Sequence, residues 1–237
     1  LSKDRLRIAY ARIDFNAVDE PSISGANGYS SIEPRFAVAG SLEVRQGLDL
    51  FGASDSCGVG FVNCTAAGFV PPSRLDGDAT ALVLRAQGQV DFRPSPLWLI
   101  SFKPRAQYSP DALLGFEQVS GGNYTAGRGY DPGAIIGDSG YGGQAELAYG
   151  SLVPETPGGS TFQPYVFFDL MSVSTKNVGG DPQTIASAGG GARARLGPST
   201  YFELTGAAPL KRAPFQAERG DFRLLATLSV RFGPGAR

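Results

Sequence analysis

Apolar and polar residues alternate at every second position through most of this chain. In 221–232 one face carries Phe222, Leu224, Ala226, Leu228, Val230 and Phe232, and the other Asp221, Arg223, Leu225, Thr227, Ser229 and Arg231. In 80–93, Leu82, Leu84, Ala86, Gly88, Val90 and Phe92 oppose Arg85, Gln87, Gln89, Asp91 and Arg93. In 97–108, Trp98, Ile100, Phe102, Ala106 and Tyr108 oppose Ser101, Lys103, Arg105 and Gln107. In 36–50, Phe36, Val38, Leu42, Val44, Leu48 and Leu50 oppose Ser41, Glu43, Arg45 and Asp49. Weaker copies lie at 5–15, 142–151, 163–173, 185–196 and 200–210. A period of two belongs to extended chain, so the pattern predicts nine strands and no helix. Most are ~11–15 residues long, against about 5–6 for the usual soluble strand and ~9–11 for a tilted membrane strand.

The two faces give the pattern its meaning. Aromatics gather near strand ends on the apolar side (Trp98, Tyr108, Phe92, Phe232, Tyr149, Phe162), and Arg, Gln, Glu and Asp crowd the other. Hydrocarbon outside and water inside account for both, so the predicted fold is all-β, a transmembrane antiparallel β-barrel. A soluble lipocalin-like barrel shows the same alternation with its sides reversed, and alternation alone leaves that alternative open. Connections are predicted tight at 93–96 and 197–199, long at 52–76, 110–140 and 174–183, and moderate at 211–220. Short turns on one side and long loops on the other are the habit of outer-membrane barrels. The long connection 16–34, on the short side, is an exception with no account in the sequence. Nine strands would leave two open edges in lipid, and bacterial single-chain barrels have even numbers, so further strands are expected. Leu1 is no initiator and no signal peptide precedes it, which places the missing strands at the N-terminal side. Phe232 closes the last strand as terminal strands of such barrels commonly close, and the tail 233–237 departs slightly from that habit.

Composition narrows the chemistry. The chain holds 33 Gly, and many fall in the stretch 110–140, where Gly127, Arg128, Gly129 and Tyr130 follow one another. A lone charge among glycines needs a partner if the loop packs anywhere dry, so the loop is expected to fold inward and dock. With no His, Ser-His-Asp and Cys-His catalysis are excluded. Cys57 and Cys64 suit a small disulfide-closed loop in an oxidising compartment better than free thiols, and two thiols without imidazole make a poor metal site. With 21 basic and 22 acidic residues, nothing attracts nucleic acid. No P-loop is present, and no apolar run approaches the ~18 residues of a membrane helix, which says nothing against a barrel.

At this point the chain resembles the C-terminal part of the haemolysin activation/secretion proteins, the outer-membrane transporters of two-partner secretion. The resemblance runs from about residue 35 to 232. It is carried in order by RQGLDLFGASD (45–55), FEQVSGGNYTAGRGYDPGAIIGDSGYGGQAELAYG (116–150), FQPYVFFDL (162–170), ASAGGGARARLGPSTYFELTGAAPL (186–210) and the closing strand. It implies a barrel of sixteen strands preceded by two periplasmic POTRA domains, with the arginine loop between strands eleven and twelve. Five predicted strands follow the loop, as the family requires. Residues 1–237 would then be a partial barrel domain of about nine strands with loop 110–140 in the lumen, lacking the POTRA domains and about seven strands. The family's loop motif is Val-Arg-Gly-Tyr. Gly127 stands at the valine position, where it is expected only to loosen the turn.

The resemblance also implies that the loop arginine meets an acidic residue on the inner wall. Tyr165, Phe167, Asp169 and Met171 share one face of 163–173, and Phe167-Phe168-Asp169 resembles the family's wall motif. The expected lock is Arg128 with Asp169, with Tyr130 and Phe167 packed beside it. On the residues alone, the commoner reading of each is a solvated loop arginine and one lumen carboxylate among many. Asp138 and Glu117 are expected to brace the base of the loop by capping amides. Glu146, beside Gln144, is expected to be a solvated lumen charge. Arg85, Arg93, Lys103, Arg105, Arg193, Arg195, Arg223 and Arg231 would either favour an anionic chain in transit or balance nearby carboxylates. The expected function is a pore in the bacterial outer membrane that secretes one large partner protein. It would be monomeric and lipid-embedded, with no catalytic group, no cofactor, no metal and no small-molecule substrate. The alternatives are a barrel-assembly insertase or translocation-module relative, a passive porin, and an outer-membrane enzyme working with carboxylates.

Overall fold

The computed structural model describes residues 2–232 except 25, 26, 66, 67, 124, 178, 180, 181 and 215. The expectations resting on Leu1 and on the tail 233–237 lie outside the described residues. Nine long strands form one antiparallel sheet: β1 (Ile8–Val18), β2 (Phe36–Gly47), β3 (Leu82–Ser95), β4 (Trp98–Tyr108), β7 (Ser139–Tyr149), β8 (Thr161–Ser174), β9 (Gln183–Leu196), β10 (Thr200–Pro209) and β11 (Arg223–Val230). Between β4 and β7, the short strands β5 (Val119–Gly121) and β6 (Ile135–Gly137) pair as a hairpin of their own. Each long strand pairs with the next, so the sheet is a meander with β1 and β11 at its edges. Only short 3-10 segments break the β pattern among the described residues.

Which face is covered answers the question that alternation left open. Ile13, Leu42, Phe102, Val166 and Leu224 are all exposed, while Ser41, Ser101, Gln107, Gln163, Asp169 and Thr205 on the opposite face are buried. A lipocalin-like barrel needs the reverse, so the structure excludes that alternative. The fold is a segment of a transmembrane β-barrel with its oily side outward.

The inward face is covered by the connection 109–138, and there the main apolar cluster forms. Val119, Ala126, Tyr130 and Ile135 of the connection pack on Met171 and Val173 of β8 and on Ile185 of β9, with Ala213 closing the side. Hairpin formation pairs the backbone of 119–121 with 135–137, which lets the segment enter a dry place without orphaned amides.

Several boundaries differ from the sequence reading; β2, for one, stops at Gly47 and leaves Leu48 and Leu50 in the connection that follows. The strand expected at 5–15 runs Ile8–Val18, because its backbone pairs with β2 as far as Val18↔Ala37. The strand expected from 142 begins at Ser139, so the loop ends at Asp138. Its SGYGG opening reads as turn chemistry, but β4 and β8 on either side supply the ladder bonds that propensity would withhold. The last strand is shorter than expected, Arg223–Val230.

The long connection 19–35 now has a physical account. Glu33 accepts hydrogen bonds from Arg93 Nη2 (3.0 Å), the Ser151 hydroxyl (2.5 Å) and the Leu152 amide (3.1 Å). The Tyr29 hydroxyl donates to the Arg93 carbonyl (3.1 Å). One carboxylate therefore pins 19–35 to the end of β3 and to the connection 150–160 at the same end of the sheet. Glu33→Ala leaves Arg93, only 7% exposed, without its partner. Breaking a buried pair costs about 3–5 kcal/mol, so the urea midpoint of the vesicle-inserted protein is expected to fall. An unchanged midpoint would show that Glu33 does not hold this end.

Candidate functional site

The site begins with a run of glycines. Gly189 and Gly191 of β9 lie opposite Phe167 and Tyr165 of β8 on the inward face. A Cβ at Gly189 would stand 2.8 Å from the Phe167 ring, and one at Gly191 2.8 Å from the Tyr165 ring. Missing side chains on one strand thus let two aromatics of the next lie flat across it. Each ring then carries an arginine: the Arg128 guanidinium carbon is 3.5 Å from the Phe167 centroid and that of Arg193 is 4.1 Å from the Tyr165 centroid.

The structure brings Arg128 and Asp169 together. Arg128 Nη2 donates to Asp169 Oδ1 (2.8 Å), and Nε donates to Oδ2 (3.0 Å). The Arg128 backbone amide also donates to Oδ2 (2.9 Å), and Ser187 Oγ approaches the same oxygen (3.5 Å). Asp169 has no exposed surface. A planar fork matches a carboxylate through two parallel bonds, so the contact fixes orientation as well as charge. Gly129 makes the approach feasible, since a Cβ there would stand 2.9 Å from both Pro209 N and Ser187 Cβ. The Tyr130 hydroxyl lies 2.7 Å from the Ala186 and Lys211 carbonyls and accepts the Lys211 amide at 3.1 Å. Tyr130 therefore anchors the tip to the β10 end, and Phe167 alone lies under the arginine.

Gly127 corrects an expectation. Its φ is +124°, and a Cβ would meet Ile185 Cδ1 at 2.8 Å. Glycine here does more than loosen a turn, because side chains rarely adopt this backbone conformation.

Glu146 corrects another, for it is not a solvated lumen charge. It accepts Arg128 Nη1 (3.2 Å) and both Nη1 (2.5 Å) and Nη2 (2.9 Å) of Arg193. Arg193 Nε reaches Glu203 Oε1 (3.1 Å), and the Tyr165 and Tyr201 hydroxyls donate to the same carboxylate (2.8 and 3.0 Å). Asp169, Arg128, Glu146, Arg193 and Glu203 form one chain of alternating sign across β7 to β10. Gln144 Nε2 donates to the Thr125 carbonyl (2.6 Å), and Arg223 of β11 pairs with Asp131 (2.5 Å). The tip thus touches all five strands that follow it. Arg193↔Glu203 was legible in advance: the turn at 197–199 sets the register that puts them opposite. Glu146 was not, because its partners come from a loop and from a strand two places away.

The remaining residues lie apart from the tip. Among the described residues Glu117 caps no amide with its side chain; it pairs with Arg45 (2.9 Å) and Arg85 (3.0 Å) from β2 and β3. Asp138 does accept amides, those of Leu113 (3.0 Å) and Lys176 (2.7 Å), and it also binds Arg74. Burial works to lower the Arg74 pKa, but hydrogen bonds to Asp76 and Asp138 outweigh it and hold the pKa above its ordinary value. Burial works to raise Asp76, and the bond from Arg74 outweighs that, leaving the carboxyl below its ordinary range. Its contribution is present above that range and is lost as pH falls through the lowered value. Cys57 and Cys64 are joined as a disulfide in the connection 48–81, away from the tip. Of the eight inward basic residues, Arg85, Arg93, Arg193 and Arg223 pair with carboxylates.

The family model described as haemolysin secretion/activation protein ShlB/FhaC/HecB matches residues 3–194. Among solved structures, the chain is similar to CdiB from Escherichia coli, with 18% identity, a TM-score of 0.65, and coverage of 83% of this chain and 34% of that one. It is similar to CdiB from Acinetobacter baumannii with 19% identity, a TM-score of 0.58, and coverage of 83% and 30%. The chain spans about a third of the length of these solved proteins. At such identities the likeness is one of fold. No curated protein matches the chain.

The geometry at the tip makes Gly127→Val a discriminating substitution. Valine at φ +124° is strained and is expected to unseat the tip, so thermolysin should cut within 120–131 several times faster than in the parent, a fall of about 1 kcal/mol or more in the free energy of local opening. Equal cutting rates would show that the backbone relaxes without cost.

Proposed function

The chain belongs to the haemolysin secretion/activation protein family ShlB/FhaC/HecB, and from that premise we propose that it forms one wall of a bacterial outer-membrane pore that secretes a large partner protein. The open edges of β1 and β11 carry unpaired backbone groups, which lipid does not tolerate. Further strands of the same barrel pair with them in this reading. The polar inward face lines the bore, and the connection 109–138 occupies it as a plug.

One observation carries the proposal: the tip arginine is held by a wall carboxylate with no exposed surface, in two side-chain bonds and one backbone bond. A passive porin needs only a solvated loop, and an enzyme needs a group that can act on a substrate; neither calls for this contact. Removing the Arg128 side chain would leave buried Asp169 with the residue-128 amide and the Ser187 hydroxyl but without its counter-charge. That costs about 3–5 kcal/mol by the general figure for a broken buried pair, enough to move a plug whose two positions are close in free energy. Passage of a chain then needs no nucleotide.

Arg128→Asp and Asp169→Arg are each expected to reduce partner secretion by about tenfold or more and to raise ion conductance in planar bilayers. The double reversal should recover part of the loss and not all of it, because Arg at 169 cannot accept the amide of residue 128. A double variant no better than the singles would reject the pairing. Steady conductance unaffected by either single change would favour a passive porin.

A further inference from the structure

Asp138 ends the inward connection one residue before β7, and like Asp169 it has no exposed surface. It accepts Arg74 Nη1 on both oxygens (2.6 and 2.7 Å), the Leu113 amide (3.0 Å), Gln118 Nε2 (3.0 Å) and the Lys176 amide (2.7 Å). Arg74 uses its other nitrogens on Asp76 (2.7 and 2.9 Å) and on the Lys176 carbonyl (2.5 Å). Three separate connections, 48–81, 109–138 and 175–182, therefore meet at one ion pair.

The backbone beside it follows the same course. The Asp78 amide donates to the Ala112 carbonyl (2.8 Å), and the Gly115 amide donates to Ser73 Oγ (2.9 Å). Segment 73–78 thus runs along 112–115. None of these groups bonds to any member of the tip network.

We propose that Arg74 is a positioning residue for the inward connection: by neutralising Asp138 it forms a second hold at the base, separate from Arg128 and Asp169 at the tip. Withdrawal of the plug then requires release at both places, and the connection 48–81 is the part through which an event outside the bore reaches the plug. This rests on the reading of 109–138 as a plug. The fork of Arg74 is essential because it serves two carboxylates and a carbonyl in one plane, which a lysine point charge cannot do.

Hydrogen exchange on the complete protein in lipid nanodiscs tests the base hold without relying on transport. Arg74→Ala should speed exchange by about tenfold or more in 109–119 and 175–177 together, with Arg74→Lys giving only partial protection. Arg128→Ala should instead loosen 125–131. Faster exchange confined to 70–81 in Arg74→Ala would overturn the proposal, as would full protection by Arg74→Lys. Should Arg74→Ala fail to insert, Arg74→Lys alone decides between these outcomes. The plug reading fails on a different measurement, unchanged bilayer conductance in Arg128→Ala, so the two failures are distinguishable.

Discussion

A carboxylate with no exposed surface is the constraint on which the inner face depends. Asp169 sits on a strand whose neighbours on both sides are paired, so it cannot turn toward solvent without breaking the sheet. Its charge has to be met from within, and the wall beside it offers only a serine hydroxyl. The positive partner arrives on a loop from another part of the chain. That need explains why a glycine-rich connection, which on entropy alone would stay in water, takes one course across the sheet.

The rest of the inner face prepares for that arrival. Small residues on β9 leave room for Phe167 and Tyr165 to lie flat, and the rings offer their faces to Arg128 and Arg193. Glu146 serves both guanidinium groups. Loss of the loop therefore leaves Arg193 still paired with Glu146 and Glu203 and strands Asp169 alone. The imbalance is local, and the wall keeps its own ion pairs. Apolar contact through Tyr130 and Ile135 supplies the non-directional part of the hold.

At the two ends of the sheet, single acidic residues do a comparable job. Glu33 gathers two connections and a strand end; Asp138 gathers three connections. In each, one arginine and at least one backbone amide converge on one carboxylate, which satisfies backbone groups that long connections would otherwise leave open. The connection 19–35, anomalous by length alone, is held for this reason.

The sequence by itself determined the strands, their faces and the identity of the loop arginine. Alternation is local and survives in any single strand, and a charge set among glycines in a family motif is recognisable wherever it packs. Asp169 was singled out by the family resemblance of Phe167-Phe168-Asp169; its place on the inward face of 163–173 made it only one carboxylate among several. Only the tertiary structure decided which face is covered, that Ser139 to Tyr141 are strand, that Gly127 holds a positive φ that strains a side chain, and that Glu146 meets Arg128 and Arg74 meets Asp138. Each of these depends on a neighbour distant in sequence: a ladder partner on either side, an isoleucine on β9, a carboxylate from another connection. Residue spacing along one chain does not encode such meetings, because they arise only when strands far apart in sequence are brought to a common face.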